Sequence, residues 1–174
     1  MKPLGKESPK TEAPKDAIEL MSGPIFLVVR FSHMDGVDVI DTLEGVIRKR
    51  GYCWFGKYGQ PISSEKIKKL TRGGELPFHI VFARIANGTR GKNLLAYEYV
   101  GAEVSRSMPA QGDYPSYYNE FKHRIKTWLR IEARTTPQIA LDDIITISGG
   151  QSVKHSLMTS QSGHFFGRLV QRKK

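Results

Sequence analysis

The segment from residue 77 to residue 107 constrains the fold most, because two long apolar runs are joined by one short turn. PFHIVFARIA (77–86) and LLAYEYVGAEVSRS (94–107) predict strands, and the glycine-containing NGTRGKN (87–93) predicts the turn of a hairpin. Gly101, inside the second run, predicts a bulge or bend. Long strands that bend at a glycine are typical of small barrels. We therefore expect an α+β fold built on a small, partly open β-barrel.

Shorter patterns supply the flanking helices and the remaining strands. Apolar residues at three- and four-residue steps predict an amphipathic helix over 37–50, with Gly51 as its stop. Ser63 or Ser64 begins a second, short helix that ends at Gly73–Gly74. Together with the hairpin this gives six or seven strands. The further strands are expected at 25–31, 52–59, 124–134, 141–147 and 164–170.

The charge distribution divides the chain into a lead, one domain and a short tail. Residues 1–23 are rich in Pro, Lys and Glu, which predicts a disordered lead, and their four lysines and four acidic residues cancel. The formal net charge of +10 therefore belongs to the domain at 24–170 and to the basic tail at 171–174. A basic surface of this strength favours a polyanionic partner, nucleic acid above all.

Several classes of protein are not indicated by the sequence. Cys53 is the single cysteine, so neither an intramolecular disulfide nor a four-cysteine zinc site is possible. The five histidines lack metal-ligand spacing, and no glycine-rich phosphate loop is present, so we expect no metal and no cofactor. The sequence shows neither a signal peptide nor a transmembrane run, which predicts a cytoplasmic protein without membrane contact.

The octet YCWFGKYG, at 52–59, offers the first candidate binding residues. In a strand, Tyr52 and Trp54 point to one side while Cys53 and Phe55 point to the other, so both faces are apolar. Cys53 and Phe55 fit a core. Trp54 fits either a core or the wall of a pocket, where its indole N–H would find a polar partner.

The strand at 124–134 offers the second group. Its alternation places Lys126, Trp128 and Arg130 on one polar face, and a tryptophan between cations suits a stacked base beside phosphates. This predicts an exposed Trp128 on a basic surface. The side chains expected to contact the nucleic-acid backbone are Lys57, Lys122, Arg124, Lys126 and Arg130.

Two other functions remain open from the residues alone. The first is a small metal-dependent nuclease, in which an acid followed by an acid–lysine pair would hold a divalent cation. Its residues would be Asp113, Glu120 and Lys122. Cys53 with His79 or His123 is a weaker catalytic pair, because a lone cysteine between bulky aromatics is usually a buried hydrophobe. The second alternative is a protein-interaction module, in which the aromatic surface meets a partner protein and the charge is incidental.

Four short segments together resemble the PUA-like superfamily, and most closely its EVE-type domains and their YTH relatives. They are FLVVRF, the aromatic strand with Trp54, the Pro115-x-Tyr117-Tyr118 loop and KTWLRI, within residues 24–147. The resemblance implies a barrel that binds DNA or RNA and holds a modified base in an aromatic pocket, as in prokaryotic modification-dependent defence systems. Because the residues show neither a motor nor a convincing nuclease, we expect a partner protein to supply an enzymatic activity. The expected pocket residues are Trp54, Phe55, Tyr118 and Trp128, with Ser105 and Ser107 at the base edge.

Overall fold

The computed structural model describes residues 25–70, 78–88, 91–135 and 141–169. Four of the expectations above fall outside these ranges. They are the lead at 1–23, the helix end at Gly73–Gly74, the centre of the turn at 87–93 and the basic tail at 171–174.

The described residues form seven strands, three α-helices and three short 3₁₀ segments. The strands are β1 (Ile25–Arg30), β2 (Cys53–Lys57), β3 (Phe78–Gly88), β4 (Gly91–Ser105), β5 (Thr127–Arg134), β6 (Ile144–Thr146) and β7 (His164–Leu169). The helices are α1 (Val39–Arg50), α2 (Ser64–Leu70) and α3 (Val153–Thr159), and the 3₁₀ segments are Ser116–Glu120, Lys122–Arg124 and Leu141–Asp143.

Helix α1 begins and ends where its sequence provides caps. The Asp38 carboxylate accepts a hydrogen bond from the Asp41 N–H at 3.0 Å, which satisfies one free donor of the first turn. Gly51 adopts φ 82°, a conformation that favours glycine, and its N–H donates to Ile47 O at 2.7 Å. The predicted helix at 37–50 is therefore confirmed, with its start two residues later.

All seven strands belong to one mixed sheet in the order β2-β5-β4-β3-β1-β7-β6. Only β1 and β3 pair in parallel; the other neighbours are antiparallel. The α+β class and the number of strands are confirmed. The pairing leaves β2 and β6 as edges, so the hydrogen-bonded sheet is open rather than a closed barrel.

The bend predicted at Gly101 is present in the pairing of β4 with β5. The register shifts on both sides of this glycine, between Tyr99 and Gly101 and again between Gly101 and Glu103. A Cβ at this position would collide with the Phe78 ring, so the close approach requires glycine. The second half of β4 therefore pairs with β5 in a shifted register, and β5 in turn pairs with β2.

The sheet is covered on both faces, which explains why the sequence of β1 is apolar at consecutive positions. Leu27 and Val29 pack beneath α1 in the main core, while Phe26 and Val28 pack on the opposite face against α3. The sequence patterns did not predict α3, which has only seven residues and begins at a Ser152 cap. A helix of two turns carries too little periodicity to be recognised from apolar spacing alone.

Candidate functional site

The tyrosine loop (residues 108–121) covers the free edge of β2. The Trp54 N–H donates to Asp113 O at 2.8 Å, and the Tyr118 hydroxyl donates to Gly56 O at 3.1 Å. Both of these β2 groups point away from β5, so the loop satisfies polar groups that an edge strand would otherwise leave exposed. This docking fixes the tyrosine rings against the sheet.

One side of the docked loop closes a compact aromatic cluster over the two tryptophans. Trp54 is 9% exposed and Trp128 is fully buried, together with Tyr114, Tyr118 and Ile125. The Trp128 ring lies 5.3 Å from that of Tyr114 and 5.4 Å from that of Tyr118. The prediction of an exposed Trp128 on the basic face is therefore wrong, because the tyrosine loop and Ile125 fold across that face. Of the two positions expected for Trp54, the structure places it in the core and not in the wall of the cavity.

The other side of the loop borders a cavity of about 420 Å³. It lies at the ends of β1 and β2, beside the start of α1, and continues from the main core. Ser32, Tyr58 and Gly163 are exposed, so the cavity meets solvent along this rim. The aromatic lining residues are Phe31, His33, Phe55, Tyr58, Tyr117, Tyr118 and Phe121, and the others are Arg30, Ser32, Met34, Val39, Lys57 and Gly163.

Arg30 is a cavity residue whose guanidinium is held on the α3 face of the sheet by the carboxyl end of that helix. Its Nη2 atom donates to Leu157 O and to Ser160 O, each at 2.6 Å. These carbonyls lie at the negative end of the helix, where a guanidinium is favoured. The Nε of Arg30 is buried and has no acceptor among the residues that the structure describes.

Lys57 is buried rather than exposed on the surface, contrary to its expected role as a phosphate contact. It is 3% exposed, and its ammonium donates to Tyr58 O at 3.1 Å and to Gln60 O. Burial lowers the pKa of Lys57, because removal from water disfavours the charged form. The side chain therefore belongs to the cavity wall.

The hydroxyl groups at the cavity differ in their partners. The Tyr118 hydroxyl donates to Gly56 O, whereas the Tyr117 hydroxyl is buried, interacts with the Tyr118 side chain, and has no partner at hydrogen-bond geometry among the described residues. Burial raises the pKa of Tyr117, so this hydroxyl keeps its proton. Tyr58, by contrast, is 45% exposed at the rim. Burial raises the pKa of Tyr58 and the charge of nearby Arg124 lowers it in part.

The remaining expected phosphate contacts fall into two groups. Arg124 and Lys126 are exposed, and Lys122 is half-buried with its ammonium 3.5 Å from the Tyr114 hydroxyl. Arg130 is already paired: its guanidinium lies 3.3 Å from Glu132, 3.8 Å from Glu103 and 4.4 Å from the centre of the Tyr52 ring. Its charge is neutralised locally, which makes it a poor phosphate ligand.

The serines expected at the base edge do not line the cavity. Ser105 ends β4, and its hydroxyl accepts from the Ser107 N–H at 3.0 Å and donates to Ser107 O at 3.1 Å. The donor and one acceptor position of the Ser105 hydroxyl are thus used within a local turn. Of the predicted pocket residues, the cavity brings together Phe55 and Tyr118, while Trp54, Trp128, Ser105 and Ser107 lie elsewhere.

The alternative catalytic residues have structural partners in this fold. The Asp113 carboxylate accepts from the Tyr52 hydroxyl at 3.0 Å and lies 4.0 Å from Arg50. Within the described ranges, no group of three or more His, Cys, Asp or Glu side chains is placed to share a metal ion. Cys53 is fully buried, and burial raises the pKa of its thiol, which disfavours a thiolate nucleophile.

Several cavity residues were not among those predicted from the sequence. Phe31 and His33 follow β1 and Phe121 ends the tyrosine loop, so only the fold brings these two segments together. Tyr58 belongs to the aromatic octet and Tyr117 to the Pro-x-Tyr-Tyr loop, so the density of aromatic residues marked both.

Comparison of the chain with models of protein families, with curated proteins and with solved structures gives no match. In the described part of the chain, no helix has the length and apolar character needed to cross a bilayer.

Proposed function

We propose that this chain is a non-catalytic, cytoplasmic nucleic-acid-binding domain that holds one modified base in the aromatic cavity. The observation that carries the proposal is the cavity of about 420 Å³ with seven aromatic rings and the buried cationic side chain of Lys57 in its wall. Small-molecule sites typically span roughly 300–1,000 Å³, so the cavity is of a size suited to one flat ring.

The energetics of such a site are coherent. Extruding a base from a duplex costs a few kcal/mol, and a base stacked on an aromatic side chain recovers about 1–3 kcal/mol. Tyr58 at the rim and Phe55, Tyr117 and Tyr118 deeper in the wall offer more than one ring face. A base already in a single strand would bind more readily because the extrusion cost is absent.

The surface beside the cavity supports contacts with the nucleic-acid backbone. Arg124 lies close enough to Tyr58 to affect its pKa, and Lys66 acts in the same way on His164, next to the lining residue Gly163. Both cations are exposed. With a net charge of +10, the chain would bind phosphates through counterion release, so affinity should fall steeply with salt.

The PUA-like resemblance remains part of the proposal. One contact supports a partly open barrel: the ammonium of Lys57, at the end of edge strand β2, would lie 3.4 Å from a Cβ at Gly163, which precedes β7. A sheet that curls so that its β2 edge approaches the β1–β7 region would account for this contact. In a modification-dependent defence system, this domain would supply recognition and a partner protein the enzymatic activity.

The test is binding to fluorescent oligonucleotides that differ at one central base: cytosine, 5-methylcytosine, 5-hydroxymethylcytosine or N6-methyladenine, in DNA and RNA, single- and double-stranded. Tyr58→Ala should weaken the preferred complex about tenfold, because it removes one stacking contact. Ser32→Trp, which places a large ring at the exposed rim, should abolish the preference between bases.

Ile147→Ala is the matched control, since Ile147 is 47% exposed, close to the 45% of Tyr58, and does not line the cavity. It should leave affinity unchanged. Equal, salt-steep binding to every oligonucleotide, insensitive to Tyr58→Ala, would reduce the function to a basic surface. No binding at all would favour the protein-interaction module, and Mg²⁺-dependent cleavage lost in Glu120→Ala would favour the nuclease.

A further inference from the structure

The charged group in the cavity wall is a hydrogen-bond donor. The buried Lys57 ammonium offers only N–H donors, and none of the lining side chains that the structure describes is an Asp, Glu, Asn or Gln. The serine and tyrosine hydroxyls of the lining can donate or accept. A ligand that enters this cavity therefore meets a cationic donor and, among the described lining side chains, no anionic acceptor.

Two donors at the cavity have unused capacity. The Tyr117 hydroxyl is buried, interacts with the Tyr118 side chain, and has no partner at hydrogen-bond geometry among the described residues. Two backbone carbonyls accept from the Lys57 ammonium, which has three N–H bonds, so one remains. A buried donor without an acceptor is costly, and a ligand acceptor would relieve that cost.

The histidine in the wall adds to the same pattern. His33 Nδ1 accepts from the Val39 N–H at 3.2 Å, which places the ring proton on Nε2. Nε2 lies 3.8 Å from the Asp38 carboxylate, a residue that does not line the cavity. The acceptor nitrogen of His33 is therefore already occupied by α1 and is not offered to a ligand.

We infer that the cavity selects a flat ring whose buried edge carries hydrogen-bond acceptors, foremost a carboxylate, over a ring that carries amino donors or only a methyl group. The inference rests on the proposed function in that it assigns the base to this same cavity. It narrows the ligand to carboxylated or keto-rich pyrimidines. A carboxylate fits best, because hydrogen bonds to a charged acceptor are stronger than those to a neutral one.

The test uses two sets of probes at constant ionic strength. The first set consists of single-stranded oligonucleotides with one central 5-carboxylcytosine, 5-methylcytosine or cytosine. The second set consists of the free rings uracil-5-carboxylate, thymine and cytosine, measured by ligand-observed NMR and calorimetry. In both sets we expect the carboxylated ring to bind at least about tenfold more tightly than its methylated counterpart.

Tyr117→Phe removes one donor without changing charge or the ring, so it separates recognition from the general attraction of anions to a basic protein. It should lower affinity for the carboxylated ring about tenfold and leave the methylated ring nearly unchanged. Tyr114→Phe is the control, because the Tyr114 hydroxyl lies 3.5 Å from the Lys122 ammonium and Tyr114 does not line the cavity. It should preserve the preference.

The outcomes separate this inference from the proposed function. Methylated or unmodified rings that bind as tightly as carboxylated ones would overturn the inference, as would a preference that survives Tyr117→Phe; base-dependent oligonucleotide binding would still support the proposed function. A preference for uracil-5-carboxylate with no oligonucleotide binding would support the inference and overturn the proposed function. Failure of every ring and oligonucleotide to bind would overturn both.

Discussion

The two sides of the tyrosine loop differ in how completely they fill space. Towards Trp54 and Trp128 the loop closes an aromatic cluster in which Trp128 is fully buried. Towards Phe55 it leaves a cavity of about 420 Å³. Tyr118 contributes to both, since its ring lies near Trp128 and also lines the cavity. Aromatic density alone therefore does not mark a binding site; the site is where the rings fail to fill the space between them.

The comparison also explains the roles of the two largest groups of aromatic residues. The tryptophan cluster anchors the loop, and the anchored loop presents Tyr117, Tyr118 and Phe121 to the cavity. A change in the cluster should first alter stability, whereas a change at the cavity rim should first alter binding.

Trp128→Ala should have the largest effect on stability. Deletion of a fully buried tryptophan costs about 3–5 kcal/mol, and the free energy of unfolding should fall by that amount. Urea unfolding followed by Trp54 fluorescence gives the measurement. Tyr58→Ala, at the exposed rim, should change stability by no more than about 0.5 kcal/mol. A loss below about 1 kcal/mol in Trp128→Ala would show that this cluster does not anchor the loop.

Gly56→Ala should have the next largest effect, because it overpacks the same cluster. A Cβ at this position would lie 2.5 Å from Ile125 Cδ1 and 3.1 Å from Trp128 Cζ3. We expect a loss of about 1–3 kcal/mol in the free energy of unfolding. The second change Ile125→Val removes the colliding Cδ1 and should restore part of the loss.

Gly45→Ala in α1 is the matched control for that substitution. Its Cβ would meet only the Arg48 guanidinium, at 3.8 Å, so it should stabilise the protein by about 0.5–1 kcal/mol through helix propensity. Equal effects of the two alanines in the same unfolding assay would contradict the tight packing at Gly56.

The last prediction concerns the pH dependence of stability that arises from His164, the neighbour of the cavity residue Gly163. Burial, and then the charges of Lys57 and Lys66, lower the pKa of His164 from 6.5 to about 4. Between these values the unfolded state binds more protons than the folded state, so stability should rise with pH from about 4 to about 6.5. Because His164 is partly exposed, we expect a contribution of about 1 kcal/mol.

Urea unfolding at pH 4.5 and pH 7 measures this contribution, with His164→Gln as the comparison. The substitution should flatten that part of the pH profile while leaving Tyr117 and the tryptophan cluster in place. An unchanged profile would show that burial and the charges of Lys57 and Lys66 together do not lower the pKa of His164 in the folded protein.

Much of the secondary structure followed from local patterns. The alternation of the octet correctly places Cys53 and Phe55 on one face and Trp54 on the other, because side chains alternate along any strand. Gly51 and Gly101 marked a helix end and a bend for steric reasons that act locally. The patterns failed at α3 and at Trp128. In the second case polar neighbours in sequence suggested solvent, but residues 114–125 cover the ring.

The sequence by itself determined the strands, the long helix, the two apolar faces of β2 and the excess of positive charge, since each depends on neighbours within a few residues. Only the tertiary structure decided which apolar face of β2 is closely packed and which one borders the cavity. That choice depends on the tyrosine loop docking on β2, through the bond from Tyr118 to Gly56 across 62 residues and the bond from Trp54 to Asp113. Such contacts depend on the shape of the whole sheet, including its bend at Gly101, and no local periodicity encodes them.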